Sequence, residues 1–537
     1  MTSQHTVGVA LIALLQRYGV EHVFGIPGVH TIELYRGLAD SAIQHHTPRH
    51  EQGAGFMADG YARVSGKVGV CFVITGPGLT NIITPMGQAL ADSIPMLVIS
   101  SVNDTLQTPH ARGMLHEMPN QLALSSQVTR FSATVHHAEE LPSLLARAFS
   151  CFTGSRPGPV HLQLPVSLLG KPTDNALCEQ VYTAPAYPRA TEETISTCRS
   201  AITNSKSPVI LAGGGVRHAA VQVTDLASRI DAPVLMTING RGTVPVGHPL
   251  AVSASGTLEA SRQTINQSDL VIALGTELAA TDYDQYKNDN LHIEADLIRC
   301  DIDPLQLHNN FQPQIAVNAD AGCFTTQLCE SMPTQTGKKG AQRAAQTMQA
   351  AQDELTSDMK RHLLLLEALR TALPEAIFVG DSTQLIYSGN LLFNTAKPNH
   401  WFNSSVGFGT LGYALPAAIG AAIAVNRQQP VICIIGDGGL QFVLGELGAL
   451  IDTGMPVAIM VWCNQGYGEI RTSMEQANVS TVGVEFTVPD FQLVANSYGI
   501  DATFARDDRE LCGAVISAFE QHKSVIITLD ESTLMQD

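Results

Sequence analysis

The chain has 537 residues, of which 45% are hydrophobic and 15% are charged. This length exceeds what a single hydrophobic core supports, so we expect about three domains. The composition excludes an intrinsically disordered chain. The formal net charge of −18 argues against a nucleic-acid partner.

No apolar stretch of the sequence reaches the ~18 residues of a membrane span. The first residues show no basic segment followed by an apolar core, the pattern that directs secretion. The ten cysteines are scattered and form no CxxC pair, which favours reduced core cysteines over a disulfide framework or a zinc site. We therefore expect a cytoplasmic protein with no membrane partner.

Short apolar runs alternate with helix-like periods along the whole chain, which predicts an α/β fold of three doubly wound parallel-sheet domains. Polar stretches near 171–175 and 334–360 separate the regions, and for the second we prefer a solvated helix to a flexible linker. The predicted domains are residues 1–170, 190–333 and 361–537. The predicted strands are 22–24, 68–74, 96–99, 160–164, 209–211, 234–236, 270–274, 298–302, 377–379, 430–435, 456–462 and 525–529.

Two loops of the third region carry hard oxygen ligands. Asp437 lies in Gly436-Asp437-Gly438 after one apolar run, and Asn464 follows the next run 27 positions later. Ligands of open parallel sheets collect at the carboxyl ends of the strands, and Mg²⁺ prefers oxygen ligands completed by phosphates. Each loop alone is typical of an ordinary turn. Together they predict a diphosphate–magnesium site, with a helix from Leu440 directing its N-terminus at the phosphates.

The first region contains a glutamate at the start of a helix-like run, Glu51 in Arg49-His50-Glu51-Gln52. Such a glutamate is most often a surface charge that the helix dipole favours. Two further blocks flank it, Phe24-Gly25-Ile26-Pro27-Gly28 upstream and Thr75-Gly76-Pro77-Gly78 downstream, the latter continuing to Asn81.

These blocks and the Asp437 and Asn464 loops resemble the thiamine diphosphate (ThDP) enzymes of the acetolactate synthase and 2-oxo acid decarboxylase superfamily, over nearly the whole chain. The resemblance implies a pyrimidine-binding domain, a central domain and a diphosphate-binding domain, in that order. It implies that Glu51 hydrogen-bonds N1′ of the aminopyrimidine, where a carboxyl group can share a proton at neutral pH. The metal ligands it implies are Asp437, Asn464 and the Gly466 carbonyl. The cofactor-binding residues it implies are Pro27, Glu51, Gly76, Pro77, Asn81, Gln384, Gly409, Leu411, Gly436, Asp437, Gly438, Gly439 and Asn464.

The segment from Gly407 to Gly412 contains GxGxxG, which alone is weak evidence for a dinucleotide site. We reject that interpretation because no clear strand pattern precedes the segment. The segment instead resembles the family's Gly-x-Gly-x-Met-Gly, whose bulky residue supports the bent cofactor. Leu411 replaces that methionine at similar volume, and Gly439 replaces the serine that often follows Gly-Asp-Gly.

Flavin-binding members of the superfamily carry Gly-Ala-Arg-Phe-Asp where this chain has Leu274-Gly275-Thr276-Glu277-Leu278 and continues to Asp282. The arginine is missing here. We therefore expect a structural central domain and no FAD.

The segments 24–37 and 49–61 resemble 5-guanidino-2-oxopentanoate decarboxylases, which form 4-guanidinobutanal and CO2 in arginine catabolism. A guanidinium group requires a planar, bidentate acceptor such as a carboxylate. Glu469, just after the metal loop, is our candidate for this substrate contact, although a glutamate there is equally typical of a solvated helix start. Asp282 and Asp284 are further candidates.

Two histidines are candidate catalytic residues beside Glu51. His116 and His30 lie in segments from which relatives offer polar side chains to the reaction intermediate, and either can donate a proton. A lone histidine is more often structural.

Two alternative functions stay open from the sequence. One is a carboligase of the acetolactate synthase type, against which the missing flavin motif argues. The other is a non-catalytic relative, against which the presence of Glu51, Asp437 and Asn464 argues. The resemblance also implies that the domains carrying these residues meet across a subunit interface, so we expect a homodimer or homotetramer that acts on a small 2-oxo acid.

Overall fold

Three six-stranded parallel sheets organise the part of the chain that the computed structural model describes, residues 5–104, 112–283 and 291–534. Helices connect and flank the strands in all three regions. The alternating pattern of the sequence therefore predicted the fold class correctly. Parallel strands are buried on both faces, which is why they were visible as short continuous apolar runs.

The first sheet has the strand order β3-β2-β4-β5-β7-β6. A separate two-residue strand pair, β1 with β8, ties the start of the chain to the predicted linker near residue 172. The strands are β1 His5–Thr6, β2 His22–Gly25, β3 Gln44–His46, β4 Gly69–Val73, β5 Met96–Val102, β6 Phe131–Thr134, β7 Pro159–Pro165 and β8 Pro172–Thr173. The helices are α1 Val7–Arg17, α2 Ile32–Ala39, α3 Glu51–Ser65, α4 Pro77–Ala91, α5 Gln121–Ser125, α6 Leu141–Thr153 and α7 Val166–Leu169.

The central sheet has the order β11-β10-β9-β12-β13-β14. Two helices, α13 and α14, cover most of the polar stretch 334–360, so its helical interpretation is confirmed. The strands are β9 Pro208–Ala212, β10 Val234–Met236, β11 Ala251–Val252, β12 Leu270–Leu274, β13 Asp296–Asp301 and β14 Ile315–Asn318. The helices are α8 Glu192–Asn204, α9 Ala220–Ile230, α10 Glu259–Asn266, α11 Ala280–Tyr283, α12 Ala321–Ser331, α13 Gly340–Asp353 and α14 Ser357–Ala372.

The third sheet has the order β16-β15-β17-β18-β20-β19, the same connectivity as the first sheet. The strands are β15 Ile377–Gly380, β16 Trp401–Asn403, β17 Val431–Gly436, β18 Ala458–Cys463, β19 Asp501–Phe504 and β20 Val525–Asp530. The helices are α15 Gln384–Leu392, α16 Ala414–Val425, α17 Asp437–Gln441, α18 Glu446–Thr453, α19 Gly468–Gln476, α20 Phe491–Ser497, α21 Asp508–Glu520 and α22 Glu531–Leu534.

The chain changes direction across the first sheet between β2 and β4, and across the third sheet between β15 and β17. A crevice opens at such a reversal, outside the carboxyl ends of the strands, and it is where open α/β sheets bind ligands. Pro27, His30, Gly76, Gln384 and Asp437 follow these four strands, and Asn464 follows β18, the neighbour of β17. The topology therefore positions the candidate sites.

The chain divides into two compact units. The first comprises Met1–Ala186, Gly412–Gln428 and Gln441–Pro456, and the second comprises Tyr187–Leu411, Gln429–Leu440 and Val457–Asp537. The first unit thus holds the first sheet with α16 and α18, and the second unit holds the central and third sheets.

Helix α3 packs against α16 inside the first unit through close backbone contact. A Cβ atom at Gly60 would overlap the carbonyl oxygen of Ala417, and one at Gly420 would overlap the carbonyl oxygen of Met57. Only glycine permits this approach. The contact holds α3, the helix that begins with Glu51, along its length.

A buried ion network reinforces the same helix pair. The fully buried guanidinium of Arg63 contacts carboxylates of Asp59 and Asp92, each at 2.6 Å. Tyr413 donates a hydrogen bond of 2.5 Å to Asp59. Removing one member of such a buried network leaves an uncompensated charge, which is strongly destabilising.

Two expectations from the sequence concern membrane spans and cysteines. Among the described residues, no helix is both long and apolar enough to cross a bilayer. All ten cysteines lie within the described part of the chain and are free, and Cys71, Cys433 and Cys463 are buried, as their positions in apolar runs predicted.

Candidate active site

Asp437 and Asn464 lie together at the carboxyl edge of the third sheet. Strands β17 and β18 are neighbours, with Gly436 opposite Trp462. Oδ2 of Asp437 accepts hydrogen bonds from the backbone N–H of Asn464 at 3.1 Å and of Gln465 at 2.8 Å. The structure thus joins the two loops that the sequence paired.

The Asp437 carboxyl is only 1% exposed. Burial raises its pKa, and the backbone N–H groups of the two loops act in the opposite direction. A buried carboxylate is stabilised by hydrogen-bond donors or by a bound cation. Its chemistry fits the predicted metal ligand.

Gly466 occupies a backbone conformation that only glycine adopts readily, with φ of 150°. A Cβ atom there would overlap the carbonyl oxygen of Val484. Within the described ranges, no three or more histidine, cysteine, aspartate or glutamate side chains form a metal-binding group. The available donors are one carboxylate, one amide oxygen and backbone carbonyls. This set suits Mg²⁺ that takes its remaining ligands from phosphates and water.

The glycines around Asp437 leave little room for side chains. A Cβ atom at Gly438 would lie 2.9 Å from the rings of Phe486 and Tyr467, and one at Gly439 would lie 3.0 Å from Oδ1 of Asp381. The prediction of a helix from Leu440 was wrong, because α17 begins at Asp437 itself and ends at Gln441. Asp437 is favoured at the first position of a helix, so the turn starts earlier than the apolar pattern indicated.

Gln384 and Glu469 are joined by a hydrogen bond. Gln384 begins α15 after strand β15, and Glu469 lies in the first turn of α19 after the metal loop. Nε2 of Gln384 donates to Oε2 of Glu469 at 3.3 Å. The sequence predicted these residues for two different roles, and the structure places them at one edge of the sheet.

Asp282 and Asp284 were weaker candidates for the same substrate role. Oδ1 of Asp282 accepts the backbone N–H of Ile238 at 3.4 Å in the central region. Asp284 lies outside the described residues.

The glycine segment before α16 has three left-handed residues, Gly407, Gly409 and Gly412, with φ between 68° and 78°. The space beside Gly409 is open, and Leu411 is half-buried. The short strand β16 ends at Asn403 and α16 begins only at Ala414. The segment is therefore an extended loop and not the tight strand-to-helix turn of a dinucleotide site.

In the first unit, Glu51 is the first residue of α3 and is 9% exposed. Its Oε2 accepts a hydrogen bond of 2.9 Å from Nδ2 of Asn81, in helix α4. His50 caps the helix by accepting the N–H of Gln52 through Nδ1 at 3.1 Å. The Glu51 carboxyl is thus buried and hydrogen-bonded, and it is not a solvated surface charge. Its partner, Asn81, is another residue that the sequence predicted.

The loops after β2 and β4 flank the reversal of the first sheet. Gly76 has φ of 68°, and a Cβ atom there would overlap the carbonyl oxygen of His116. The N–H of Gly76 donates to Oε1 of the buried Gln121 at 2.9 Å. Pro27, in the loop after β2, and Pro77, the first residue of α4, are both exposed.

His30 and His116 form a pair in the same place. Their rings meet edge to face with centroids 5.2 Å apart. Nδ1 of His30 lies 3.2 Å from Oγ1 of Thr75, and Nδ1 of His116 is buried without a hydrogen-bond partner in the described part of the chain. Burial and the neighbouring His116 lower the pKa of His30. His116 also has φ of 63°, a strained conformation that is typical of functional sites.

The sequence analysis missed a buried carboxyl, Glu446, at the start of α18. It is 1% exposed and accepts the backbone N–H groups of Arg49 and His50. The available signal was a charged residue inside the apolar run from Phe442 to Leu447. The partners lie 397 positions away, so local pattern alone did not reveal them.

Comparison with known proteins agrees with the three-part organisation. The description "Thiamine pyrophosphate enzyme, N-terminal TPP binding domain" matches residues 5–124, the central domain of the same enzymes matches 195–328, and their C-terminal TPP binding domain matches 381–529. A Pseudomonas aeruginosa protein named "Probable 2-ketoarginine decarboxylase AruI" is 40% identical over 98% of this chain and 94% of its own length.

Acetolactate synthases are also similar to the chain. The isozyme 1 large subunit of Escherichia coli is 31% identical over 91% of this chain and 88% of its own length. A probable large subunit from Methanocaldococcus jannaschii is 30% identical over 92% and 86%, respectively.

Proposed function

Because the chain belongs to the thiamine pyrophosphate enzymes, whose cofactor is the ThDP introduced above, we propose that it decarboxylates 5-guanidino-2-oxopentanoate to 4-guanidinobutanal and CO2. The reaction is non-oxidative and uses ThDP and Mg²⁺. The assignment to 2-oxo acid decarboxylases rests on the relative named a 2-ketoarginine decarboxylase, which uses the same substrate under its other name. The observation that carries the substrate is the Glu469 carboxylate in the first turn of α19, directly after the metal loop.

The metal and the diphosphate belong at the edge of the third sheet. Asp437, Asn464 and the Gly466 carbonyl would hold Mg²⁺, since they supply hard oxygens on adjacent loops. The close-packed Gly436, Gly438 and Gly439 would offer backbone N–H groups to phosphate oxygens. Gln384 and the open loop at Gly409, followed by Leu411, complete the surface toward the cofactor.

The first unit would supply the acid–base group. Glu51 would hold a proton between its carboxyl and N1′ of the aminopyrimidine, while Asn81 fixes the carboxyl by its 2.9 Å hydrogen bond. When bound, ThDP supplies an electron sink that stabilises the electron pair left by loss of CO2. Gly76, Pro27 and Pro77 would shape the loops around the ring.

His30 and His116 would carry out the last proton transfer. Burial and the neighbouring His116 lower the pKa of His30, which makes its protonated ring a stronger proton donor. The unpartnered Nδ1 of His116 leaves one polar atom of the pair available to a substrate group. A proton delivered here to the substrate carbon releases the aldehyde and completes decarboxylation.

Glu469 would select the guanidinium end of the substrate. Its carboxylate lies in the first turn after the metal loop, and it retains an oxygen beyond the one that Gln384 contacts. A guanidinium binds such a carboxylate through two parallel hydrogen bonds. The acidic net charge of −18 further favours a cationic substrate group.

The similarity to acetolactate synthases keeps carboligation as the second candidate function. Purified protein with ThDP, Mg²⁺ and either 5-guanidino-2-oxopentanoate or pyruvate separates the two. Release of 4-guanidinobutanal supports the proposal, acetolactate from pyruvate supports the alternative, and no turnover of either substrate overturns both.

We also propose that the enzyme is cytoplasmic, contains no FAD and forms a homodimer or homotetramer. In the central sheet, the N–H of Gly215 donates to the carbonyl of Gly275 at 3.0 Å, which joins the two loops at the strand reversal. Visible flavin absorption in the purified protein would contradict the proposal that it contains no FAD.

Sedimentation analysis with and without ThDP tests the proposed homodimer or homotetramer, and a stable, active monomer would contradict it.

A further inference from the structure

Glu446 is a buried carboxyl that takes no part in the proposed chemistry. It begins α18 and lies against the start of α3, inside the first unit. Its Oε1 accepts the N–H of Arg49 at 3.1 Å and of His50 at 3.0 Å, and its Oε2 lies 3.1 Å from the same Arg49 nitrogen. Both carboxylate oxygens therefore contact the backbone just before Glu51.

The start of α3 is built to admit this carboxylate. Gly53 lies in the first turn of α3, and a Cβ atom there would overlap Oε1 of Glu446. Any other residue at this position would displace the carboxylate from the helix start. His50 caps the helix from within the chain, so Glu446 adds a second, independent cap from a distant segment.

The side chain of Arg49 also stabilises the contact between Glu446 and the start of α3. A Cβ atom at Gly445 would lie 3.2 Å from Cβ of Arg49, and one at Gly448 would lie 3.1 Å from its guanidinium. The guanidinium donates to Asp452 at 2.6 Å, on the exposed side of α18. Glu446 holds the backbone of Arg49 while Asp452 holds its side chain.

We propose that Glu446 is the positioning residue for Glu51, whose carboxyl it places by binding the two backbone N–H groups before it. This inference rests on the role proposed above for Glu51. A helix moves as a unit, so a shift of its first turn moves the Glu51 carboxyl, and a displacement of about 1 Å can cost on the order of 100-fold in rate.

The charge state of Glu446 makes this positioning sensitive to pH. Burial raises its pKa to about 7, while the N–H groups of Arg49 and His50 and the charge of Arg49 act in the opposite direction. The other charged or titratable groups near this contact are His50, Glu51 and Asp452, and α16, which also packs on α18, has none. The ionised form accepts both N–H groups most strongly, so we expect Glu51 to be held best above neutral pH.

Three variants distinguish the loss of the Glu446 hydrogen bonds from the loss of its side-chain volume. Glu446→Ala removes both acceptors. Glu446→Gln keeps one oxygen in the place of Oε1, where both N–H groups can still donate, but cannot ionise. Asp452→Asn is the matched control, because it changes an acidic residue of the same helix that contacts the side chain of Arg49 and not its backbone N–H.

The first measurement is amide hydrogen exchange of residues 47–56, which needs no cofactor. We expect Glu446→Ala to speed exchange at least tenfold there, Glu446→Gln to stay within threefold of the unmodified protein, and Asp452→Asn to match it. Unchanged exchange in Glu446→Ala overturns the proposal. If that variant does not fold, Gly53→Ala, which displaces the same carboxylate, replaces it with the same expectation.

The second measurement is the rate of deuterium exchange at C2 of bound ThDP, followed by NMR from pH 6 to 8. In the unmodified protein we expect this rate to rise through pH 7, and in Glu446→Gln we expect the rise to be lost with KM for substrate within twofold. Identical pH profiles overturn the positioning role. If the unmodified protein shows no C2 exchange, the role of Glu51 fails, and amide exchange still decides whether Glu446 holds α3.

Discussion

The amide of Gln384 donates a hydrogen bond of 3.3 Å to the carboxylate of Glu469. The two residues lie 85 positions apart, in the first turns of two helices that follow different strands of the third sheet. Because both helices begin at the carboxyl edge, the contact brings a predicted diphosphate residue next to a predicted substrate residue. We therefore expect the residue that selects the substrate to lie next to a residue that binds the cofactor.

Glu469→Gln tests the substrate contact. Removing the charge while keeping an acceptor for Gln384 should raise KM for 5-guanidino-2-oxopentanoate about 10- to 100-fold, because a charge-assisted bidentate contact contributes roughly 1.5–3 kcal/mol. KM for a neutral 2-oxo acid of the same length should change less than twofold. Steady-state kinetics with both substrates measure the difference.

Glu475→Gln is the control, since Glu475 is exposed on the same helix. Equal effects of Glu469→Gln on the charged and the neutral substrate would refute the assignment.

Asp437→Asn tests the metal site. Replacing the only carboxylate of the donor set by an amide should weaken Mg²⁺ binding at least tenfold and ThDP binding with it, since the metal bridges protein and diphosphate. Isothermal titration of Mg²⁺ in the presence of ThDP measures both. Asp501→Asn, an exposed residue of β19 in the same sheet, should leave both affinities unchanged. Unaltered Mg²⁺ affinity in Asp437→Asn would exclude this residue as a ligand.

His30→Gln tests proton transfer at the histidine pair. A general acid or base contributes about 100- to 10,000-fold to a proton-transfer step, so kcat should fall substantially while ThDP affinity stays constant. Because a histidine donates a proton only in its protonated form, the lowered pKa of His30 means that this step should slow as the pH rises above that pKa. His136→Gln, on an exposed surface, should behave like the unmodified enzyme. A His30→Gln enzyme with full kcat would remove His30 from the mechanism.

Arg63→Met tests what holds α3 in place. The change removes the guanidinium that the buried carboxyl groups of Asp59 and Asp92 share, which should lower the free energy of unfolding by about 3–5 kcal/mol. Arg36→Met breaks an exposed pair with Glu33 and should change little. Urea denaturation measures both. Equal stability of the two variants would contradict a structural role for the buried network.

The stability of the protein should also depend on Glu446. Its folded pKa of about 7 lies above the ordinary value of 4.5, so its contribution is fully present below pH 4.5 and is lost as the pH rises through 7. Glu446→Gln removes this loss. The variant should therefore gain stability relative to the unmodified protein between pH 5 and 8, by up to about 3 kcal/mol. A difference that does not vary with pH would contradict the raised pKa.

The sequence was sufficient for features set by local pattern. Buried parallel strands are apolar on both faces, so β17 and β18 and the loops with Asp437 and Asn464 were predictable. The start of α3 at Glu51 was predictable from the helical period that follows it. The start of the helix at Asp437 was not, because two glycines follow it and hide any period.

Contacts between segments that are distant along the chain could not be predicted from the sequence. His30 and His116 are 86 positions apart in the sequence, and Gly76 allows the backbone of His116 to approach closely. The contact of Glu446 with α3 joins segments 397 positions apart. Such pairings are fixed by tertiary packing, which a single sequence does not display.

The most direct test of the central claim is product analysis with 5-guanidino-2-oxopentanoate, ThDP and Mg²⁺. We expect equal amounts of CO2 and 4-guanidinobutanal, complete loss of activity after chelation of Mg²⁺, and no product with Glu51→Gln. CO2 and aldehyde that are formed equally well without ThDP, or acetolactate from pyruvate as the only product detected, would contradict the account.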